Sequence, residues 1–133
     1  MRGPTDIFPI ASLHAKAIKE AEATECAAEL GGNAIFWQYL DTIFETTNSN
    51  DSLDPLKLPE IAVSLGLDEA AFNTCLSSGK HNAFILQSVE DAVKAGARGT
   101  PYSVILSKSG DKMIINGAES MAKIKIKIDS FLK

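Results

Sequence analysis

The sequence has 133 residues, of which 45% are hydrophobic and 23% charged, and its formal net charge is −4. This length suits one domain of ordinary globular composition, and the acidic balance argues against a nucleic-acid-binding surface. No apolar run reaches the roughly 20 residues that a membrane-spanning helix requires. We therefore expect one globular domain with neither a nucleic-acid nor a membrane partner.

The first part of the chain predicts a strand end followed by two helices. Residues 7–10 are a short apolar segment, and Pro9 limits any strand there to a strand end or a sheet edge. Ser12 is a candidate N-cap for a long helix that ends at residues 31–32, which are both glycine. Asn33 can begin a second helix, whose many aromatic side chains indicate a core element.

A polar, turn-rich stretch over residues 46–52 precedes three shorter predicted helices. The first covers residues 56–65. The second lies between an N-cap at residue 68 and a glycine stop at residue 79, and the third runs over residues 81–95. We therefore assign residues 12–96 to a helical region.

Residues 99–117 are the only segment that firmly predicts β structure. Residues 102–107 and 113–115 are short apolar runs with β-branched members, and the polar linker between them contains Gly110, which suits a hairpin turn. The apolar residues 104–106 do not alternate with polar ones, which is typical of a central strand buried on both faces. A central strand needs two neighbours, and the sequence offers only one obvious neighbour.

The C-terminal segment fits two periodicities. Residues 123–128 alternate lysine with isoleucine, as a strand would, whereas the apolar residues of the whole segment also follow helical spacing. Lysines near a helix C-terminus are favoured by the helix dipole, and Ser120 can act as the N-cap. We predict a helix here. The fold class is then α/β with α+β content, in which helices cover a small sheet.

Cys26 and Cys75 are the two cysteines, and 49 positions separate them. This spacing fits neither a zinc motif nor a redox Cys-X-X-Cys. Two interpretations stay open. One is a pair of buried reduced thiols, and the other is a structural disulfide, which would imply an oxidising compartment or descent from a protein that lived in one. We expect no metal and no cofactor.

Four blocks of the sequence resemble the DsbA-like thioredoxin-fold thiol–disulfide oxidoreductases. In chain order they are Phe8-Pro9-Ile10 with His14, Glu25-Cys26-Ala27 with Phe36-Trp37-Gln38-Tyr39, Leu65-Gly66-Leu67-Asp68 with Phe72-Asn73-Thr74-Cys75-Leu76, and Gly99-Thr100-Pro101 with Ile115-Asn116-Gly117-Ala118. The resemblance implies a single domain over residues 1–133 with an incomplete thioredoxin-like fold. Its parts are a strand remnant over residues 6–10, a helical insertion, and a cis-proline loop, hairpin and terminal helix over residues 99–133.

The resemblance also implies roles for individual residues. Thr100, Pro101 and Tyr102 match the loop that faces the family's dithiol and contacts an extended peptide, and Pro101 would follow a cis bond. The structural alternative is that this loop is simply the entrance to a strand. Some relatives carry a second cystine away from the active site, which Cys26 and Cys75 could match. His14 is more typical of a surface or capping residue than of a base.

The family's N-terminal strand, its Cys-X-X-Cys and the helix that follows have no counterpart in the sequence. Only a thiolate attacks a disulfide, and neither Cys26 nor Cys75 matches the catalytic positions. We therefore assign no catalytic residue. The sequence predicts a member of the oxidoreductase family that is inactive as given. The alternative is a non-catalytic peptide-binding module that uses the cis-proline loop and the sheet edge.

Without that first strand, the predicted strand over residues 102–107 has an open edge. Three arrangements would supply a neighbour. Residues 7–10 could take its place, two chains could pair or exchange strands in a homodimer, or the chain could be a fragment of a longer protein. We predict the homodimer. Family members are normally exported, whereas this chain taken as complete has no export leader and would be cytoplasmic, so the compartment stays open.

Overall fold

The computed structural model describes residues 7–48 and 50–132. The elements in chain order are α1 (Ala17–Thr46), α2 (Lys57–Ser64), α3 (Glu69–Ser78), α4 (Asn82–Lys94), β1 (Tyr102–Leu106), β2 (Lys112–Asn116) and α5 (Met121–Phe131). The chain divides into two compact units at the junction of Glu90 and Asp91, which lies within α4. None of the described helices is both long and apolar enough to cross a membrane.

The prediction of a strand remnant over residues 6–10 is wrong for residues 7–10, which are the part that the structure describes. Asp6 lies outside the described residues, and residues 7–10 belong to no strand. The carbonyl of Ile7 instead accepts a hydrogen bond of 2.9 Å from the Ser88 hydroxyl, and Pro9 has no N–H to contribute to a ladder. This segment therefore does not supply the missing neighbour of the hairpin.

The first helix begins later than the sequence predicts. Ser12 lies in a turn, where the N–H groups of Leu13 and His14 both donate to the carbonyl of Ile10 at 2.9 Å. A helix capped by Ser12 would pair the N–H of Lys16 with the Ser12 carbonyl. That N–H instead donates to the Asp51 carboxylate at 3.0 Å, and the helix starts only at Ala17. The prediction of Ser12 as an N-cap is therefore wrong.

Two predicted helices join in α1 across a kink at Gly32. Gly32 has φ 80° and ψ −174°, a conformation in the positive-φ region that side chains with a Cβ rarely adopt. A second helical segment follows the kink and continues to Thr46. The prediction of two helices that meet at these glycines is therefore confirmed.

The later helix boundaries follow local capping chemistry and confirm the predictions. The Asp68 side chain accepts a hydrogen bond of 2.8 Å from the N–H of Ala71 at the start of α3, and Gly79 ends that helix in a left-handed conformation. Ser120 caps α5 through Lys123. The segment that fitted two periodicities is therefore a helix.

The core of the first unit lies among α1, α2, α3 and the loop that follows α1. Its buried members are Ala23, Cys26, Ala27, Tyr39, Ile43, Leu53, Leu58, Ile61, Ala62, Phe72 and Cys75. The Tyr39 hydroxyl donates to the carbonyl of Leu58 at 2.9 Å, and its ring lies 5.6 Å from that of Phe72. Burial, and then the charge of Glu20, raises the pKa of Tyr39, so this hydroxyl stays a neutral donor.

A covalent bond also joins α1 to α3. Cys26 and Cys75 form a disulfide with their Cα atoms 5.8 Å apart, and both side chains are buried. The bond closes a loop of 49 residues that contains all of α2. It therefore limits the conformations of the unfolded chain over most of the first unit.

The second unit contains a hairpin and a helix. β1 and β2 pair antiparallel with Val104 opposite Ile114, and they form the only sheet in the described part of the chain. Ala97 and Ile115 are its only buried hydrophobic residues among those described, and α5 buries none. The hydrophobic stabilisation of this unit within the described chain is correspondingly small.

The prediction that β1 is buried on both faces is wrong for the described chain. Val104 and Leu106 are 40% and 64% exposed, whereas Ile105 on the opposite face is half-buried. The reason is that β2 is the one described strand beside β1. The apolar run therefore lies on an edge strand and presents part of its surface to solvent.

Replacing both cysteines with alanine should lower the free energy of unfolding by about 2–4 kcal/mol, because the unfolded chain regains the entropy of an open loop. Urea denaturation followed by circular dichroism measures this change. Reductant should destabilise the parent chain and leave the Cys26→Ala/Cys75→Ala variant unaffected. Equal stability of the parent and variant chains under oxidising conditions would show that the bond contributes nothing.

Candidate functional site

The three residues predicted to contact a peptide lie together where the chain enters β1. The peptide bond between Thr100 and Pro101 is cis. Thr100 and Pro101 are exposed and Tyr102 is half-buried. The carbonyl of Pro101 accepts a hydrogen bond of 2.9 Å from the N–H of Gly117, so hairpin pairing continues as far as the proline.

A hydrogen bond from Tyr102 connects this loop to the residue that follows α4. The Tyr102 hydroxyl donates to the carbonyl of Ala95 at 2.9 Å. Gly96 has φ 102°, and a Cβ at that position would lie 3.0 Å from the Tyr102 hydroxyl oxygen. A glycine is therefore required here both for the positive φ and for the close approach of the tyrosine.

The register of the hairpin determines which backbone groups of β1 point away from β2. The N–H of Ser107 donates to the carbonyl of Asp111 at 3.0 Å, and Gly117 donates to Pro101. Hydrogen-bonded pairs alternate with non-bonded pairs along an antiparallel ladder. The bonds at both ends of the ladder place Ser103 and Ile105 in hydrogen-bonded pairs. These two residues therefore direct their N–H and C=O groups towards β2.

The backbone groups of Tyr102, Val104 and Leu106 consequently point away from β2. No described strand pairs with this edge. On one face beside it, Val104, Leu106 and the cross-strand Ile114 are all exposed. This outer edge of β1, with the loop at Thr100 and Pro101 at its entrance, is the candidate binding site.

The sequence gives the second unit a positive charge. Residues 91–133 contain eight lysine or arginine residues and four acidic residues, whereas residues 1–90 contain five and thirteen. This part of the sequence therefore has a formal net charge opposite in sign to that of residues 1–90.

A polar cluster that includes His81 lies beside the disulfide of the first unit, and the sequence analysis missed it. The His81 Nε2 atom lies 3.0 Å from Glu29 Oε2, and the Lys80 ammonium lies 2.6 Å from Glu29 Oε1. The hydrogen bond from Lys80, supported by the charges of Lys80 and His81, holds the pKa of Glu29 below its ordinary value. An imidazole nitrogen of His81 and the Sγ atoms of Cys26 and Cys75 lie within 4.8 Å of one another.

The structure thus joins the two cysteines that the sequence analysis singled out, and it adds His81 beside them. A local sequence motif could not predict this cluster, because 52 positions separate His81 from Glu29. The other histidine, His14, lies in the turn before α1, where its backbone N–H donates to Ile10.

Comparison with known proteins gives one family and one related structure. A profile of the DSBA-like thioredoxin domain matches residues 11–129. A crystal structure of DsbA2 from Pseudomonas aeruginosa is similar to this chain, with a TM-score of 0.71 and 25% sequence identity. The alignment covers 88% of this chain and 64% of that chain, so this chain spans less than two thirds of that relative. No curated protein sequence matches this chain.

Proposed function

Because the chain belongs to the DsbA-like thioredoxin-fold family of thiol–disulfide oxidoreductases, we propose that it binds an extended polypeptide along the outer edge of β1 and does not itself catalyse disulfide exchange. The observation that carries this proposal is the unpaired edge of β1 directly after the Thr100–Pro101 loop. This domain would take part in disulfide exchange only if another segment or chain supplied a Cys-X-X-Cys.

The state of the two cysteines supports the proposed lack of catalysis. The sequence contains no Cys-X-X-Cys, and both of its cysteines are joined in a disulfide whose side chains are 1% and 5% exposed. Neither stands at a helix N-terminus, where the dipole lowers a thiol pKa. A substrate thiolate has little access to either sulfur, so exchange at this disulfide is expected to be slow.

The chain should therefore not accelerate the reduction of insulin by dithiothreitol, as measured by the turbidity of the precipitating B chain. The Cys26→Ala/Cys75→Ala variant serves as the matched control and should give the same trace as the parent chain. Turnover by the parent chain that disappears in this variant would refute the assignment of a non-catalytic disulfide.

Binding of a peptide at the edge of β1 rests on backbone hydrogen bonds. The N–H and C=O groups of Tyr102, Val104 and Leu106 are spaced for strand addition, in which the main chain supplies affinity and alternate side chains supply specificity. The exposed apolar face at Val104 and Leu106 favours apolar side chains at every second position of the peptide. The net positive charge of residues 91–133 favours an acidic peptide over a basic one.

A single proline substitution tests this edge. Val104→Pro removes an outward N–H but no hydrogen bond to β2, so it should weaken binding of a dye-labelled peptide of alternating valine and glutamate by about 10-fold. Fluorescence anisotropy measures the affinity. Ile114→Pro is the matched control, because it removes an outward N–H from β2 instead and should leave the affinity unchanged.

Equal binding by the parent chain and the Val104→Pro variant would contradict the proposal, provided that circular dichroism shows both to be folded. Sedimentation at the same concentrations separates peptide binding from pairing of two copies. A homodimer that Val104→Pro dissociates would show that the edge is occupied by a second copy, as the exposed Val104, Leu106 and Ile114 also allow. A folded monomer that binds no peptide would refute both uses of the edge.

A further inference from the structure

We propose that the first unit holds a zinc ion when its disulfide is reduced, with Cys26, Cys75 and His81 as the protein ligands. Two thiolates and an imidazole are donors that Zn²⁺ prefers, and three protein ligands with one further position are a known zinc arrangement. In the structure these residues come from α1, α3 and the residue before α4, and the disulfide joins the two sulfurs. The proposal is independent of the function proposed for the hairpin.

The distances are close to those of a zinc site. The two Sγ atoms and an imidazole nitrogen lie within 4.8 Å of one another. In a tetrahedral site with zinc–sulfur bonds of about 2.3 Å and zinc–nitrogen bonds of about 2.0 Å, the ligand atoms lie about 3.4–3.8 Å apart. Rotation of side chains that are already adjacent can provide this separation, so no helix needs to leave the core.

The groups around His81 resemble the support that zinc-binding histidines usually have. A metal-bound imidazole generally donates its other N–H to a carboxylate, which fixes the ring and raises its basicity. Glu29 Oε2 lies 3.0 Å from Nε2 and can accept that proton, which would leave Nδ1 as the nitrogen for the metal. Lys80 holds the second oxygen of the same carboxylate at 2.6 Å.

Charge and access also favour a site here. Two thiolates neutralise Zn²⁺, and Glu29 is paired with Lys80, so the loaded site would place no net charge in the half-buried region. Cys26 and Cys75 are buried, whereas the His81 side chain is 21% exposed. The ion can therefore enter from the side of His81.

Reduction of the disulfide makes the two sulfurs available to the metal. A dithiol reductant transfers two electrons and two protons, the sulfur–sulfur bond of Cys26 and Cys75 breaks, and the reductant becomes a disulfide. Zn²⁺ then displaces the two thiol protons to solvent as two zinc–sulfur bonds form. In the oxidised protein both sulfurs are used in their mutual bond and offer no thiolate to the metal.

Metal titration of the full chain tests this site. Protein reduced with a phosphine, which is itself converted to the oxide, should bind one Zn²⁺ per chain in competition with a chromophoric chelator. Oxidised protein should bind none. Co²⁺ in place of Zn²⁺ should give visible bands of tetrahedral cobalt together with a thiolate charge-transfer band in the near ultraviolet.

Two substitutions separate the proposed roles. Glu29→Gln should lower the zinc affinity by about 10- to 100-fold, as loss of an outer carboxylate does, and His81→Asn should lower it further. His14→Asn is the matched control, because it removes the only other histidine of the sequence and should leave the affinity unchanged.

If the reduced chain is unstable without metal, zinc binding can be measured by thermal unfolding instead of titration. At the same zinc concentration, zinc should then raise the Tm of the reduced parent and His14→Asn chains, raise that of the reduced His81→Asn variant much less, and leave that of the oxidised protein unchanged. The proposal is overturned if the reduced parent chain stays free of zinc, if the cobalt form lacks the thiolate band, or if His81→Asn binds zinc as tightly as the parent chain.

Discussion

Every strand must find partners for the polar groups of its backbone, and the described chain supplies them for one edge of β1 only. β2 pairs with one side, and no described strand lies on the other. An unpaired edge beside apolar side chains is a template for a further strand. This open edge explains why Val104 and Leu106 are exposed. It is also the reason for proposing an extended peptide as the ligand beside the loop at Pro101.

The two compact units are stabilised very differently. The first unit has a contiguous core that includes Tyr39 and Phe72, and the bond between Cys26 and Cys75 closes a long loop across it. The second unit buries few apolar side chains within the described residues, and a two-stranded hairpin is marginally stable by itself. Additional strand pairing would therefore contribute most to the second unit, whereas the disulfide contributes to the first.

Local chemistry made much of the fold predictable. Asp68, Gly79 and Ser120 mark helix ends through side-chain caps or positive φ, and the hairpin follows from two β-rich runs around a turn. The family resemblance placed Thr100 and Pro101 at the strand entrance, where the structure also has them.

Interactions between distant residues were not predictable in the same way. At the start of α1, the N–H of Lys16 donates to Asp51, which is 35 positions away. Residues 7–10 form no strand, and the carbonyl of Ile7 accepts from Ser88, 81 positions away. The apolar run of β1 identified a strand correctly but could not reveal how many neighbours it has. The contact between Glu29 and His81 depends entirely on the packing of helices that are far apart in sequence.

Amide hydrogen exchange of the dilute, unliganded chain, resolved by residue, tests the central claim most directly. If β2 protects only one edge of β1, the amides of Ser103 and Ile105 should exchange more slowly than those of Val104 and Leu106. Protection of Val104 and Leu106 equal to that of their inward-facing neighbours in a monomeric sample would contradict the account, because it would mean that the outer edge already has a partner.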